Sequence, residues 1–373
     1  MSLPSILTTT EQITAFAKEL DKHPVIAVDL EADSMHNYQE KVCLLQFSTP
    51  TTTVLIDPLQ GADLAPLKPV LANSRIRKIF HAADYDIRCL ARDFGIEING
   101  LFDTMISSQF LGEERFGLAD VLRKYFSIEL DKQYQRADWS KRPLSDAMIR
   151  YAAEDTSHLH NLVENLEAQL VAKGRLEWVK EEFLLMEKVR FMVHEGPLFL
   201  RFKGAGTLDR RQLAVLENLL QWRDVEARRR DTPLYKVIGN KPLLQLAKLS
   251  PTSLSSMQKV EGLSPRLIER YGNKLLQQTA MALETPEEDL PTYPRSERRP
   301  KDPQIEKRMN QLKAWRKKVS EELQLDPGVL INNALLDELA RKQPRSEQDL
   351  SDIILLKNWQ RQVLGEGILH SLG

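Results

Sequence analysis

VIAVDLEAD, residues 25–33, is the stretch on which the fold of this chain turns. Val25 to Val28 is apolar and rich in β-branched side chains, the composition of a buried strand. Residues two apart on a strand share a face, so Asp29 and Glu31 point the same way from its end. Two acids leaving a buried strand together repel each other and lose hydration, and a cation is the usual remedy. Two further segments carry matching groups: Asp86 in FHAADYDIRCL (80–90), and Tyr151 with Asp155 in IRYAAEDTSHL (149–159). Tyr151 and Asp155 are four apart in a run of good helix formers and lie one above the other on a helix face. Taken singly, each piece has an ordinary reading. A D-x-E triplet is equally a solvated strand end, Tyr151 a core ring and Asp155 a surface acid. Together, the four carboxylates and the tyrosine make sense as one metal site, which predicts metal-dependent chemistry.

Outward from that strand, Thr10 to Asp21 reads as an amphipathic helix with Thr10 near its cap. Val25–Glu31, Val42–Phe47 and Thr53–Ile56 read as strands whose short connections suit antiparallel pairing. Ile79-Phe80 begins a fourth strand, Asp86 to Phe94 continues as a helix, and Leu101 to Asp103 reads as a fifth strand. Helical periodicity then runs from about Asp103 to Val193. Strands first, with helices for both faces, predict a three-layer α/β domain. Past Pro197 the text is all-helical. Leu208 to Arg230 is a long helix with Leu213, Leu216, Leu220 and Trp222 as core positions, stopped at Asp231-Thr232-Pro233. Leu243–Lys248 and Leu254–Val260 are short helices, and Gly262 to Pro265 turns into Arg266–Thr279. Glu284 to Pro303 holds five prolines and ten charged residues with hardly an apolar side chain, the make-up of a linker. Helices return after it, anchored by Trp315, Leu335, Leu336 and Trp359.

A length of 373 residues suggests two or three domains, each long enough for its own core. With 42% hydrophobic and 28% charged residues, the chain has the composition of a soluble globular protein. Cys43 and Cys89 each sit among apolar neighbours and read as small buried hydrophobes, not as a disulfide or a zinc pair. MSLPSILTTTEQ has neither a basic start nor an apolar run, and nothing approaches the ~20 apolar residues of a membrane span. The expectation is a cytoplasmic protein without a signal peptide. Its net charge of −1 hides an asymmetry. Residues 1–195 hold 22 basic and 30 acidic residues, whereas 196–283 hold 15 basic and 7 acidic. Carboxylates hold cations and Lys/Arg hold a phosphate backbone, so the two parts suit a metal nuclease joined to a nucleic-acid grip. An excess of one sign on solvated helix faces is the plainer alternative.

The order D-x-E, then H-A-x-x-x-D, then Y-x-x-x-D resembles the DEDD superfamily of 3′-to-5′ exonucleases, and Tyr151 in the third motif places the resemblance with its DEDDy branch. Val54-Leu55-Ile56-Asp57-Pro58, Phe102-Asp103-Thr104 and DWSKRPL (138–144) extend the likeness to the ribonuclease D family over essentially the whole chain. The resemblance implies a ribonuclease-H-like α/β exonuclease domain over residues 1–195, followed by two all-α HRDC domains, helical nucleic-acid-binding modules. These would occupy 205–283 and, in a more divergent copy, 304–373, with the linker at 284–303 between them. The balance of 11 basic and 10 acidic residues over 304–373 counts against strong nucleic-acid binding by the second copy.

The cofactor implied by the resemblance is a pair of divalent ions, Mg²⁺ or Mn²⁺. Asp29 would bridge both, Glu31 and Asp155 would hold the one that activates water, and Asp86 would act on the other. Tyr151 would orient the attacking water. The implied activity is that of a 3′-to-5′ exoribonuclease releasing nucleoside 5′-monophosphates from tRNA precursors and other small structured RNAs. No membrane and no obligatory protein partner enter this picture. A DNA-directed exonuclease shares the same carboxylates, and a nonenzymatic RNA-binding protein is the other alternative; trailing HRDC copies and intact carboxylates weigh against these. Candidate nucleic-acid contacts are His81, Arg228, Arg229, Arg230 and Lys236. His81 is equally a hydrogen-bonded residue at a strand end, and the three arginines equally complement the negative end of a helix.

Overall fold

The computed structural model describes residues 3–192, 195–294 and 302–373. Six strands arise in the N-terminal part: β1 (Ser5–Leu7), β2 (Val25–Ala32), β3 (Val42–Ser48), β4 (Thr53–Ile56), β5 (Arg77–Phe80) and β6 (Leu101–Asp103). They build one mixed sheet ordered β1-β4-β3-β2-β5-β6. β2, β3 and β4 pair antiparallel, as their short connections require. β5 joins β2 parallel, β6 joins β5 parallel, and β1 joins β4 parallel. Parallel neighbours need long crossovers, which hold α1 (Thr10–Leu20), α2 (Lys68–Ala72) and α3 (Asp84–Phe94). Helix α1 starts at Thr10 as its composition suggests, and its cap is Thr9, which forms a capping box with Gln12. β1 escaped the sequence reading because three residues cannot display a period of two.

Helices α4 (Thr104–Leu111), α5 (Leu118–Phe126), α6 (Asp146–Ser157), α7 (Leu159–Ala172) and α8 (Leu176–Met186) complete this region. The side chains of β3 divide between two apolar groups. Leu45 and Phe47 join the main core with Ile26, Val28 and Ile79, whereas Leu44 joins Leu55, Trp139, Ile149 and Ala152 beneath α6. Both cysteines are buried and neither is in a disulfide, as their apolar surroundings suggest. Among the described residues, no helix is long and apolar enough to cross a membrane.

The chain separates into two compact units, one made of the described parts of Met1–Ala32, Val42–Phe191 and Pro300–Gly373, the other of Asp33–Lys41 and Met192–Arg299. The second contains α9 (Arg210–Arg229), α10 (Leu234–Val237), α11 (Asn240–Leu249), α12 (Leu254–Met257) and α13 (Pro265–Leu283). Leu213, Leu216 and Leu220 are buried there with Leu243, Leu246 and Leu275, and the half-buried Trp222 meets Tyr271 edge-on at 5.3 Å. The segment 33–41 belongs to this unit through Tyr38, whose hydroxyl donates to Asp224 at 2.7 Å and whose amide donates to Asp231 at 3.1 Å. Part of the stretch expected as a linker is packed: Leu290 is buried, and Tyr293 lies against Phe199 with ring centres 6.2 Å apart. Residues 295–301, the middle of that linker, lie outside the described residues.

The C-terminal helices are α14 (Pro303–Leu323), α15 (Pro327–Leu330), α16 (Asn333–Lys342), α17 (Glu347–Ser351) and α18 (Asn358–Leu372). They repeat one device of the preceding helical region. Arg223 in α9 donates through Nη1 to the Ile238 carbonyl and the Asn240 side chain; Arg316 in α14 does the same to Ile331 and Asn333. Each guanidinium thereby satisfies the loop before the next helix. The C-terminal helices share one apolar core with the sheet region. Trp359 stacks on Trp178 of α8, ring centres 5.3 Å apart, and meets Phe110 of α4 at 5.4 Å. Glu181 accepts the backbone N–H groups of Asn358 and Trp359, capping α18 from another part of the chain. Buried Arg175 donates to the carbonyls of Phe110 and Leu323, serving the carboxyl ends of α4 and α14 together.

Candidate active site

Strand β2 delivers Asp29 and Glu31 on one face, and its pairing with β3 shifts register between Glu31 and Ala32. β5 ends at Phe80; His81 follows, then Ala82 in the left-handed region (φ 66°), before α3 begins. That conformation is unfavourable for alanine and has to be held in place. Asp103 holds it. Its carboxylate accepts the N–H groups of Ala82 and Ala83 at 3.2 and 2.8 Å, and those of Met105 and Ile106 at the start of α4. Asp86 thus enters the first turn of α3 in a fixed place, buried. The third contribution comes from α6, capped by Ser145. It is fixed to the sheet by the apolar group around Leu44 and by a 2.7 Å hydrogen bond between Ser48 and Thr156. Trp139 and Tyr134 flank the Tyr151 ring at 6.0 and 5.9 Å. Arg142 anchors the loop before α6 through the Asp57 carboxylate and the Cys43 and Trp139 carbonyls.

These elements meet around a cleft of about 210 Å³ lined by Asp29, Glu31, His81, Leu118, Gln135, Tyr151 and Asp155, among others. Burial raises the Asp29 carboxyl to about 7, opposed in part by the Leu30 backbone. Burial, then the Asp29 charge, raises Asp155 to about 8. Glu31 is pushed well above the carboxylate range by burial and then by Asp29, Asp155 and Asp86. Asp86 is raised by burial and then by Asp29, which joins it electrostatically to the same cluster. Tyr151 is driven further up by burial, Asp155, Glu31 and Asp29, so its hydroxyl keeps its proton at neutral pH. His81 goes the other way. Burial lowers it to about 4 against a hydrogen bond to the Phe116 backbone, and its Nδ1 lies 2.9 Å from the Thr104 hydroxyl.

The donor set fits hard divalent cations, since buried carboxylates that raise one another stay ionised together only with positive charge between them. Among the described residues, no group of three His, Cys, Asp or Glu side chains is drawn together closely enough to hold a metal ion as it stands. Sites for hard cations of this kind take waters and substrate oxygens, besides protein carboxylates, to complete their shells.

The other candidate contacts lie in the second unit. Arg228 lies over the Tyr38 ring at 5.4 Å and pairs with Asp224; Arg229 pairs with Glu226; Arg230 donates to the Tyr271 hydroxyl. Lys236 is exposed. Sequence reasoning did not pick out Leu118 or Gln135 as lining the cleft. Gln135 sits in an aperiodic loop where nothing local marks it. Asp103 was legible as the end of a strand, and its second role as the cap of α4 has a local signal, since an Asp before a helix is a cap residue.

Residues 4–171 match the model of a 3′-5′ exonuclease family, and residues 212–278 and 305–372 each match the HRDC domain. Ribonuclease D of Gluconacetobacter diazotrophicus is 30% identical over 371 residues, spanning 98% of this chain and 92% of that protein. The chain belongs to the ribonuclease D family. The crystal structure of Escherichia coli RNase D, described as an exoribonuclease involved in structured RNA processing, superposes with a TM-score of 0.76 at 27% identity, covering 100% of this chain and 99% of that one. The catalytic core of RRP6 from Trypanosoma brucei shows 32% identity and a TM-score of 0.64 over 75% of this chain and 79% of that one. As a ribonuclease D family member, the protein is a hydrolase of the 3′-5′ exoribonuclease type with two HRDC domains.

Proposed function

We propose that this ribonuclease D family protein removes nucleoside 5′-monophosphates one at a time from the 3′ ends of tRNA precursors and other small structured RNAs. The observation that carries the reading is the single cluster of Asp29, Glu31, Asp86 and Asp155, whose members raise one another toward neutrality, with Tyr151 beside them. Asp29 would bridge two divalent ions, Mg²⁺ or Mn²⁺, with Glu31 and Asp155 on one and Asp86 on the other. Such a pair supplies acidification of the attacking water and stabilisation of the departing 3′ oxygen. Tyr151, protonated at neutral pH, orients that water through its hydroxyl and does not act as a free base. Neutral His81 at the cleft wall offers the RNA a hydrogen-bonding ring without a charge. The first HRDC domain, within the stretch of 15 basic and 7 acidic residues, is the phosphate grip, with Lys236 and the Arg228–Arg230 run as contacts. A cytoplasmic site of action belongs to the same proposal.

The test is digestion of a 3′-extended tRNA labelled at its 5′ end, with Mg²⁺, Mn²⁺ or EDTA, beside a single-stranded DNA control. A metal-dependent ladder shortening from the 3′ end, lost in Asp29→Asn, is expected. No cleavage with either metal would overturn the proposal, and equal digestion of the DNA would overturn its RNA specificity.

A further inference from the structure

Gln46 stands in the middle of β3 with no solvent exposure, and neither its Nε2 nor its Oε1 has a hydrogen-bond partner among the described residues. A buried amide without partners is destabilising, so its place in a sheet core calls for a compensating use. Its neighbours indicate what that use is. In the β2–β3 register, Gln46 is directly opposite Asp29, and on the other side it is opposite Leu55. Opposed residues in an antiparallel pair share a face, with Cβ atoms about 4.5–5.5 Å apart. The row across the sheet therefore runs from a carboxylate through an amide to an apolar side chain. Leu44 and Ser48, two residues to either side, place that face beneath α6, where Leu44 packs near Ala152 and Ser48 bonds Thr156. The amide is thus enclosed between Asp29 and the helix that carries Tyr151 and Asp155.

We infer that Gln46 is a positioning residue for Asp29: opposite it in the register, its amide is placed to donate from Nε2 to the Asp29 carboxylate and to fix its orientation. An ionised carboxylate can accept about four hydrogen bonds, and one that serves two cations needs its remaining lone pairs met inside a dry sheet. A glutamine suits that place. It supplies a donor without a charge, where a lysine would compete with the cations and a glutamate would add to the repulsion.

The inference rests on the two-ion reading above, and it predicts effects of opposite sign that simple packing would not. In the full chain, Gln46→Leu and Gln46→Met remove the orphaned amide at similar volume. The metal-free protein is expected to melt at the same temperature or a few degrees higher. Mn²⁺ affinity, measured by titration calorimetry without substrate, should fall about tenfold, the scale of lost outer-shell partners. Unchanged Mn²⁺ affinity in both variants overturns the inference whatever happens to stability. Lower melting temperatures with unchanged affinity would make Gln46 a packing residue. A wild-type chain that binds no Mn²⁺ would overturn the two-ion reading itself, which separates that failure from this one.

Discussion

Asp29 and Asp155 are carboxyls that the fold holds near 7 and 8, far above their ordinary range, because burial and mutual repulsion favour the neutral form. Raised folded-state pKa values mean that the folded chain binds protons the unfolded chain has already released. That stability is fully present below the unfolded value near 4 and is lost as pH rises through 7 to 8. The melting temperature of the metal-free protein should therefore drop by several degrees between pH 5 and 8.5, and saturating Mg²⁺ should remove the slope; scanning calorimetry with EDTA or Mg²⁺ checks both. Tyr151 makes a separate prediction. Its raised pKa leaves a hydroxyl that can only orient, so Tyr151→Phe should lower kcat about 100-fold while Mn²⁺ affinity and KM stay near wild type. A rate within twofold of wild type would reduce Tyr151 to a packing partner of Trp139 and Tyr134.

At the scale of elements, the turn between β5 and α3 depends on one carboxylate. Asp103 holds Ala82 in its left-handed conformation and caps α4, so it joins the placement of His81 and Asp86 to the start of another helix. Asp103→Ala leaves four N–H groups without their acceptor and should cost about 2–4 kcal/mol in urea unfolding, with Asp103→Asn intermediate. The strands carrying the site were legible because β-branched runs with short connections have one natural pairing, and α6 was legible as the helix joining Tyr151 to Asp155. β1 and the true cap of α1 were not, since three residues show no period and Thr9, Thr10 and the preceding Thr8 are alike as letters. Gln46 was readable as a polar residue in an apolar strand. That its amide lacks a partner and is opposite Asp29 follows only from the register.

At the scale of the molecule, the two HRDC domains carry different surfaces on one pattern. The second has its Trp359 face buried against α4 and α8, with α18 capped by Glu181 and Lys357 paired to Glu182. Trp359→Ala should cost about 3–5 kcal/mol and lower the unfolding midpoint of the sheet-bearing unit, not of the C-terminal helices alone. Two separated transitions in calorimetry, with the sheet region unaffected, would show that the shared core is not cooperative. The shared core also means that a chain cut near Pro197 would expose Trp178 and Phe110. RNA binding by the first HRDC domain is therefore better tested with point substitutions.

The residues alone carried the expectation of a metal site, placed its candidate side chains at a strand end and in two later segments, and determined that helical modules follow. Those conclusions depend on local periodicity and residue type, which a linear chain displays. Only the tertiary structure decided how far burial raises each carboxyl, that the second HRDC domain shares a core with the sheet, and that a partnerless amide is opposite Asp29. Each of these depends on contacts between residues far apart in sequence, and on water excluded by their packing, which no local pattern records.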